Sequence, residues 1–305
     1  MTLTLRACAK VNLDLRVLGL RPDGYHDLRT VFQSIALADT VTLRTTRGPF
    51  ELTCDDPGVP TDRRNLVWKA ASLLWRLARL GRGQPRNVAI HLAKRIPAAA
   101  GLGGGSADAA VTLAGLNRLW RLGLDETSLS RVASRVGADV PFLLVGGTAL
   151  GLGRGDDIYP LADLPQVHVV ILRPGFGVST VEAYRWYDED ARRPGRSRRS
   201  APLRRATPPR WPAWAASLGN DLQLSVVRHH PTIGRIRQAL VEAGAVTALM
   251  SGSGSAVFGL FERAEAARRT ARDLARPGWM AVATRTVTRG EYQRLLRLPS
   301  GGRGV

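Results

Sequence analysis

A glycine cluster, an aspartate ahead of a proline and a lysine on an early strand are the residues of this chain whose types and spacing could do chemistry. The cluster lies in Ile96-Pro-Ala-Ala-Ala-Gly-Leu-Gly-Gly-Gly-Ser-Ala-Asp108, where Gly101, Gly103, Gly104 and Gly105 open into an apolar run. Glycine tolerates positive φ and has no Cβ, so its N–H groups can turn toward a bound anion. Ser106 is expected to start a helix whose Ala109, Leu113, Leu116 and Trp120 share one face, with its positive dipole end directed into the loop. That is a phosphate cradle made of backbone. Asp139, in Gly137-Ala-Asp-Val-Pro-Phe142, follows a helix stop and precedes a proline that restricts the local backbone. Lys10, on the polar face of an early strand, is a cation that could keep Asp139 ionised and offset charge developing beside it. An anion cradle, a carboxylate and a cation are the set that phosphoryl transfer to an alcohol requires. Singly, each has a plainer reading as a glycine turn, a helix cap and a solvated strand lysine.

The elements that must position these groups are legible in the hydropathy pattern. From Leu3 to Val17 residues alternate, with Ala9, Val11, Leu13 and Leu15 on one face and Lys10, Asn12 and Asp14 on the other, which predicts a half-buried strand. Pro22-Asp-Gly24 predicts a tight reversal before Tyr25-His26, followed by strands over 31–36 and 40–45. Asn65 is a good cap for a helix carrying Leu66, Ala70, Leu73, Leu77 and Leu80, ended by Gly81-Arg-Gly83. Val88 to Leu92 reads as a strand leading to Lys94 and the glycine loop, and Asp125 caps a helix over 126–136 that stops at Gly137. Hairpin chemistry over 146–155 precedes an apolar strand, Val167 to Leu172, taken as the start of a second domain. Beyond it come a helix over 232–242, a Gly-Ser run over 251–255, a strand over 256–260, a helix over 264–274 and a strand over 281–286. This is the order of an α+β domain.

Length and composition narrow the partners. A chain of 305 residues with 44% hydrophobic content exceeds the size at which single cores divide, so two domains are expected. No apolar run of about 18 residues suggests a membrane span, and a cytoplasmic location is the expectation. Cys8 and Cys54 have no metal spacing and are expected to be reduced. His91, His168, His229 and His230 likewise lack ligand spacing. The net charge of +19 raises the question of nucleic acid, but eight arginines and no acid fall between Ala191 and Arg210, a Pro/Ser/Gly-rich stretch expected to be a flexible surface loop. The charge is concentrated rather than spread along a binding face. Only Lys10, Lys69 and Lys94 occur against 41 arginines, as a codon bias toward arginine would produce wherever any positive charge suffices. A site that keeps lysine is one where a compact ammonium is favoured over a planar fork.

The stretch Pro97-x-x-x-Gly101-Leu-Gly-Gly-Gly-Ser106 resembles the second motif of the GHMP kinases, a superfamily in which this loop wraps the ATP phosphates. Ala9-Lys10-Val-Asn12, Arg21-Pro-Asp-Gly-Tyr-His26, the glycine loop, Gly137-Ala-Asp-Val-Pro-Phe142, Ser179-Thr180, Asn220-Asp221-Leu222 and Ser251-Gly-Ser-Gly-Ser255 run in the order seen in one branch of it. That branch phosphorylates the 2-hydroxyl of a cytidine-diphospho-methylerythritol in non-mevalonate isoprenoid precursor biosynthesis. The resemblance implies a two-domain α+β fold, with a ribosomal-protein-S5-like nucleotide domain over 1–162, a ferredoxin-like domain over 163–298 and a flexible tail over 299–305. It implies ATP and Mg²⁺ as cofactors, a small-molecule substrate, no membrane or nucleic-acid partner, and a monomer or homodimer. Asp139 is implied as base and Lys10 as its partner. Asn65, Leu66, Lys94, Pro97, Gly101, Leu102, Gly103, Gly104, Gly105, Ser106 and Thr180 are implied to hold ATP, with Asn65, Leu66 and Lys94 bordering the adenine. Asn12, Tyr25, His26, Asp139, Tyr184, Ser253 and Gly254 are implied to hold the substrate, Tyr25 and Tyr184 as walls around a cytosine and His26 at its edge. The Arg/Pro-rich segment departs from the branch, and the glutamate that several GHMP kinases use for magnesium has no clear counterpart here, which leaves Ser106, Asp108 or phosphate oxygens and water as ligands. The alternatives are a GHMP kinase of homoserine or mevalonate type, or an RNA-binding protein using the 191–210 arginines.

Overall fold

The computed structural model describes residues 1–192 and 212–296. Most of the Arg/Pro-rich segment and all of the tail therefore lie outside the described residues. The fold is α+β, built on one mainly antiparallel and one fully antiparallel sheet that share an apolar layer. The first begins with two long strands, β1 (Thr2–Leu20) and β2 (His26–Pro49), paired antiparallel along nearly their whole length. Residues 31–36 and 40–45, expected as two strands, belong to the single strand β2. On its other edge β2 pairs first with β5 (Thr148–Gly153) through residues 28–33, then with β4 (Arg86–Ala93) through residues 40–49. A short parallel β3 (Glu51–Cys54) extends the β4 edge, and β6 (Asp157–Pro160) completes the hairpin from β5. Residues 34–39, where β2 passes from one partner to the other, hold Asp39.

Helices α1 (Leu66–Leu77), α2 (Gly104–Leu119) and α3 (Glu126–Val136) cover one face of this sheet. Each begins where local chemistry dictates. The Asn65 side chain accepts the Val67 N–H at 2.9 Å, and Asp125 accepts the Ser128 N–H at 2.8 Å, each satisfying an otherwise unpaired donor of its helix. Helix α1 stops at Leu77, before the expected Leu80, because Arg79 takes a positive φ of 52°. Helix α2 starts at Gly104, two residues before Ser106, because Gly103 serves as its cap in the left-handed region at φ 73°. A four-residue turn, α4 (Phe142–Val145), follows the Asp139 segment.

The second sheet contains β7 (His168–Arg173), β8 (Thr247–Met250), β9 (Val257–Phe261) and β10 (Met280–Arg285) in the order β10-β7-β9-β8, all antiparallel. Helices α5 (Thr180–Ala191), α6 (Gln223–His229), α7 (Pro231–Glu242) and α8 (Ala264–Asp273) complete the ferredoxin-like arrangement. A last helix, α9 (Arg289–Leu296), returns to the first sheet, where Tyr292 is 1% exposed and donates its hydroxyl to the Leu143 carbonyl at 2.5 Å.

Alternation along β7 explains how the two sheets meet. Val170 and Leu172 face the helical core, whereas Val169 and Ile171 pack with Ala9, Val11, Leu13 and Ile35 of the first sheet. The strand is buried on both sides, which is why it reads as a continuous apolar run. The same packing corrects the expectation for β1. Its apolar face enters the shared layer, but its polar face is buried too, since Lys10 and Asn12 are each 3% exposed. Bulges between Cys8 and Lys10 and between Asn12 and Asp14 bend the strand at these two residues. Polar side chains facing inward at a bulge mark a site.

Candidate active site

A cavity of about 1200 Å³ opens where β1, the glycine loop, the Asp139 turn, α5 and the 251–255 loop converge. Its walls include Lys10, Asn12, Tyr25, His26, Asn65, Leu66, Lys94, Pro97, the stretch Gly101 to Ser106, Asp139, Thr180, Tyr184, Ser253 and Gly254. Every residue singled out from the sequence for ATP or substrate thus borders one space.

At its centre, Lys10 Nζ lies 3.3 Å from Asp139 Oδ2. The same ammonium donates to Asn12 Oδ1 at 2.7 Å and stands 5.4 Å from the centroid of the Phe32 ring. Asn12 in turn donates to Thr30 Oγ1 at 2.8 Å, and Thr30 donates to the Asp14 carbonyl at 2.7 Å, so the lysine is aimed by a chain of hydrogen bonds across the β1–β2 pair. The Asp139 side chain keeps 32% of its surface exposed, toward the cavity. The pair sets one buried cation beside one carboxylate that is open to the cavity.

Two glycine loops close over this pair. The Lys10 N–H donates to the Leu102 carbonyl at 3.0 Å, which ties the phosphate loop to β1. Ser251 donates its hydroxyl to the Gly101 carbonyl at 2.9 Å, and Ala256 donates its N–H to the Ala100 carbonyl at 3.1 Å. Asn220 locks the second loop from behind, donating to the Met250 and Gly252 carbonyls at 2.8 and 2.7 Å. Thr180, first residue of α5, has its Oγ1 3.0 Å from Ser253 Oγ.

The approach is too close for side chains. A Cβ on Gly101, whose φ is 74°, would stand 2.0 Å from the Ser251 carbonyl oxygen. Gly101→Ala is therefore expected to destabilise the fold by about 1–3 kcal/mol from its left-handed backbone alone. It should also weaken ATP binding, because the two loops must move apart. Chemical denaturation together with nucleotide titration checks this, and a variant matching wild type in both would show that the loops do not depend on each other.

Beneath the phosphate loop lies an ion triad that no local pattern announced. Lys94 Nζ pairs with Asp39 and with Asp108 Oδ2, the latter at 2.6 Å, and all three side chains are under 10% exposed. Asp39 also accepts the N–H groups of Arg95 and Ile96, at 2.5 and 2.8 Å, anchoring the start of the loop to β2. Burial pulls the Lys94 ammonium toward deprotonation, but Asp108 and Asp39 outweigh it and hold it charged. Burial likewise pushes the Asp108 carboxyl up, against the pull of Lys94. Lys94 and Asn65 border the cavity with their side chains already committed, Lys94 to the triad and Asn65 to capping α1. Partly buried Leu66 borders the same cavity.

At the opposite end, His26 stacks on Tyr184 with ring centroids 4.7 Å apart, and its Nε2 lies 2.9 Å from Asp188 Oδ1. Tyr25 is 58% exposed, with the Arg154 guanidinium 5.3 Å from its ring centroid. The sequence reading missed Asp188 and Arg154. Burial and then the charge of Asp139 raise the Tyr184 hydroxyl above the ordinary tyrosine range, so it stays a neutral donor near the acid.

The family model for the GHMP kinases N terminal domain matches residues 65–147, and that for the GHMP kinases C terminal matches residues 204–278. The chain is 46% identical over 285 residues to 4-diphosphocytidyl-2-C-methyl-D-erythritol kinase of Synechococcus sp. (strain JA-2-3B'a(2-13)), covering 90% of this chain and 89% of the relative. The enzyme of the same name from Moorella thermoacetica is 44% identical, covering 93% of this chain and 99% of its own. A crystal structure of 4-(cytidine 5'-diphospho)-2C-methyl-D-erythritol kinase superposes with a TM-score of 0.73 at 38% identity, over 93% of this chain and 98% of that one. Similarity of this extent, spanning both sheets and the cleft between them, shows that the chain belongs to the 4-diphosphocytidyl-2-C-methyl-D-erythritol kinase family of GHMP kinases, and that it is an ATP-dependent phosphotransferase.

Proposed function

We propose that the cleft transfers the γ-phosphoryl group of ATP to the 2-hydroxyl of 4-diphosphocytidyl-2-C-methyl-D-erythritol. The observation that carries this reading is the 3.3 Å approach of Lys10 to Asp139 at the mouth of the glycine loop. Asp139 accepts the proton of the hydroxyl as that oxygen attacks phosphorus, and the bond from the γ-phosphorus to the bridging oxygen breaks to release ADP. Lys10, 3.3 Å from that carboxylate, offsets the negative charge that builds on the phosphoryl oxygens. Asn12 orients Lys10, and the loop from Gly101 to Ser106 with the N-terminus of α2 cradles the triphosphate. Thr180 and Ser253 close the far side.

Magnesium fits this site as a phosphate-bound ion. Among the described residues no group of three or more His, Cys, Asp or Glu could hold a metal by itself. Mg²⁺ keeps several waters and usually takes only one or two protein ligands besides phosphate. The half-buried Ser106 hydroxyl on the cavity wall suits that role, and so does Asp108, whose Oδ2 is engaged by Lys94 but whose buried Oδ1 has no hydrogen-bond partner. Bound there, the ion would neutralise charge on the β- and γ-phosphates.

The cytidine end distinguishes this reading from a homoserine or mevalonate kinase. Tyr25, His26 and Tyr184 line that end, and the smaller acceptors have no base to stack on them. Base stacking contributes on the order of 1–3 kcal/mol. Cytidine diphosphate is therefore expected to compete with the acceptor substrate, and Tyr25→Ala to weaken that competition by about tenfold or more. Inhibition kinetics in which cytidine diphosphate fails to compete would return the assignment to the other GHMP acceptors. The cytoplasm as its location and a monomeric or homodimeric state go with this reading.

A further inference from the structure

Lysine is almost absent from this chain, and all three of its lysines line the one cleft. Lys10 faces Asp139 and Lys94 is enclosed by two carboxylates, but the reaction as drawn leaves Lys69 without a task. Its Nζ donates to the Val136 carbonyl at 2.7 Å. Val136 ends α3, so this carbonyl is one of those a helix leaves unpaired at its negative end. The next residue, Gly137, is extended at φ −175° and ψ 157°, and Asp139 follows two positions later. On its far side the turn is held by its own backbone, through the Leu143 N–H to the Asp139 carbonyl at 3.2 Å. On its near side the ammonium of Lys69 anchors the residue from which the turn departs.

Lys69 lies one helical turn from Asn65, on a part of α1 that meets both working loops. Leu66 Cδ1 is 4.0 Å from where a Cβ would stand on Gly105 of the phosphate loop, and also 4.0 Å from where one would stand on Gly137. The first turn of α1 therefore touches the nucleotide cradle and the acid-bearing turn together.

We propose that Lys69 is a positioning residue for phosphoryl transfer: its ammonium, carried by α1, clamps the C-terminus of α3 and so fixes the turn that presents Asp139 to the acceptor hydroxyl. The proposal rests on the kinase reading of the cleft. A misplacement of about 1 Å at a reacting centre costs on the order of 10²-fold in rate, so loosening this turn shows in kcat. A planar guanidinium is a poorer match for a single carbonyl than a compact ammonium, in keeping with the retention of lysine here.

Two variants of the full chain test it, Lys69→Met and Lys69→Arg, with steady-state kinetics and amide hydrogen exchange over residues 137–140 as readouts. Lys69 is exposed, so neither change disturbs a core. Lys69→Met is expected to lower kcat by about 10- to 100-fold with the KM for ATP nearly unchanged, and to speed exchange in the turn. Lys69→Arg, keeping charge and donors, should recover part of both. Wild-type kcat and exchange in Lys69→Met would overturn the proposal. So would a raised KM for ATP at unchanged kcat, which would make Lys69 a nucleotide contact. Because exchange is read without turnover, it judges the clamp even if the unaltered protein proved inactive on the proposed substrate, a result that would instead strike at the kinase reading.

Discussion

Asp139→Asn is expected to lower kcat by about 10²–10⁴-fold while leaving the Kd for ATP within about threefold of wild type. The substitution keeps the size and shape of the side chain but removes the proton acceptor and the negative charge paired with Lys10 at 3.3 Å. Nucleotide affinity should survive because the phosphate loop is held by contacts that do not involve Asp139: Lys10 N–H to the Leu102 carbonyl, the Ser251 hydroxyl to the Gly101 carbonyl, and the Arg95 and Ile96 N–H groups to Asp39. Folding should survive as well, since the carboxylate is open to the cavity rather than buried in a core. Single-turnover kinetics beside equilibrium nucleotide binding separate the two effects. If turnover fell only in proportion to a loss of ATP affinity, Asp139 would be a binding residue and the proton would need another acceptor.

Lys10→Met should have an effect of similar size, about 10²–10³-fold on kcat/KM, through a different route. Methionine keeps most of the buried stem, so the loss is that of the ammonium and its two partners. Asp139 then lacks its cation, and Asn12 Oδ1, 2.7 Å from the ammonium in the native site, loses its donor. A buried acceptor left unsatisfied costs about 1–3 kcal/mol, so a lower thermal midpoint should accompany the kinetic defect. Arginine should not rescue. A Cβ on Gly103 would lie 3.1 Å from Lys10 Cγ and one on Gly252 3.4 Å from Nζ, so even glycine leaves little room for a planar fork. Kinetics of Lys10→Met and Lys10→Arg, with thermal unfolding of both, check the pair. Near-native kcat/KM in Lys10→Arg would mean that any positive charge serves at this position.

What the sequence disclosed and what it withheld divide along a physical line. Features whose cause is local were legible: the phosphate loop, the Asn65 and Asp125 caps, the Gly137 stop and the alternation of β1. The fold class followed, because ordered motifs along nearly the whole chain resemble one superfamily. Features that depend on partners distant in sequence were not legible. Asp39 meets Lys94 across 55 positions, and His26 meets Asp188 across 162. Nothing near Asp39 indicates that β2 would change edge partners there and leave its carboxylate facing the root of the phosphate loop. The burial of Lys10 and Asn12 on the polar face of β1 likewise depends on loops distant in sequence, those around Gly103 and Gly252. Short elements, among them β3, α4 and α6, lack the length for a period to emerge and are stabilised by what they pack against. Scarcity of lysine was a better guide than periodicity at the site itself, since all three lysines face the cleft.

This cleft carries the γ-phosphoryl group of ATP to a hydroxyl of a cytidine-bearing polyol, and turnover of the purified protein with magnesium, ATP and 4-diphosphocytidyl-2-C-methyl-D-erythritol measures that transfer directly by phosphorus NMR. The expected spectrum gains a phosphomonoester on the 2-oxygen of the erythritol in step with ADP, and Asp139→Asn slows the appearance of that signal by about 10²–10⁴-fold. ADP release without the monoester, or equal phosphorylation of homoserine or mevalonate, would contradict it.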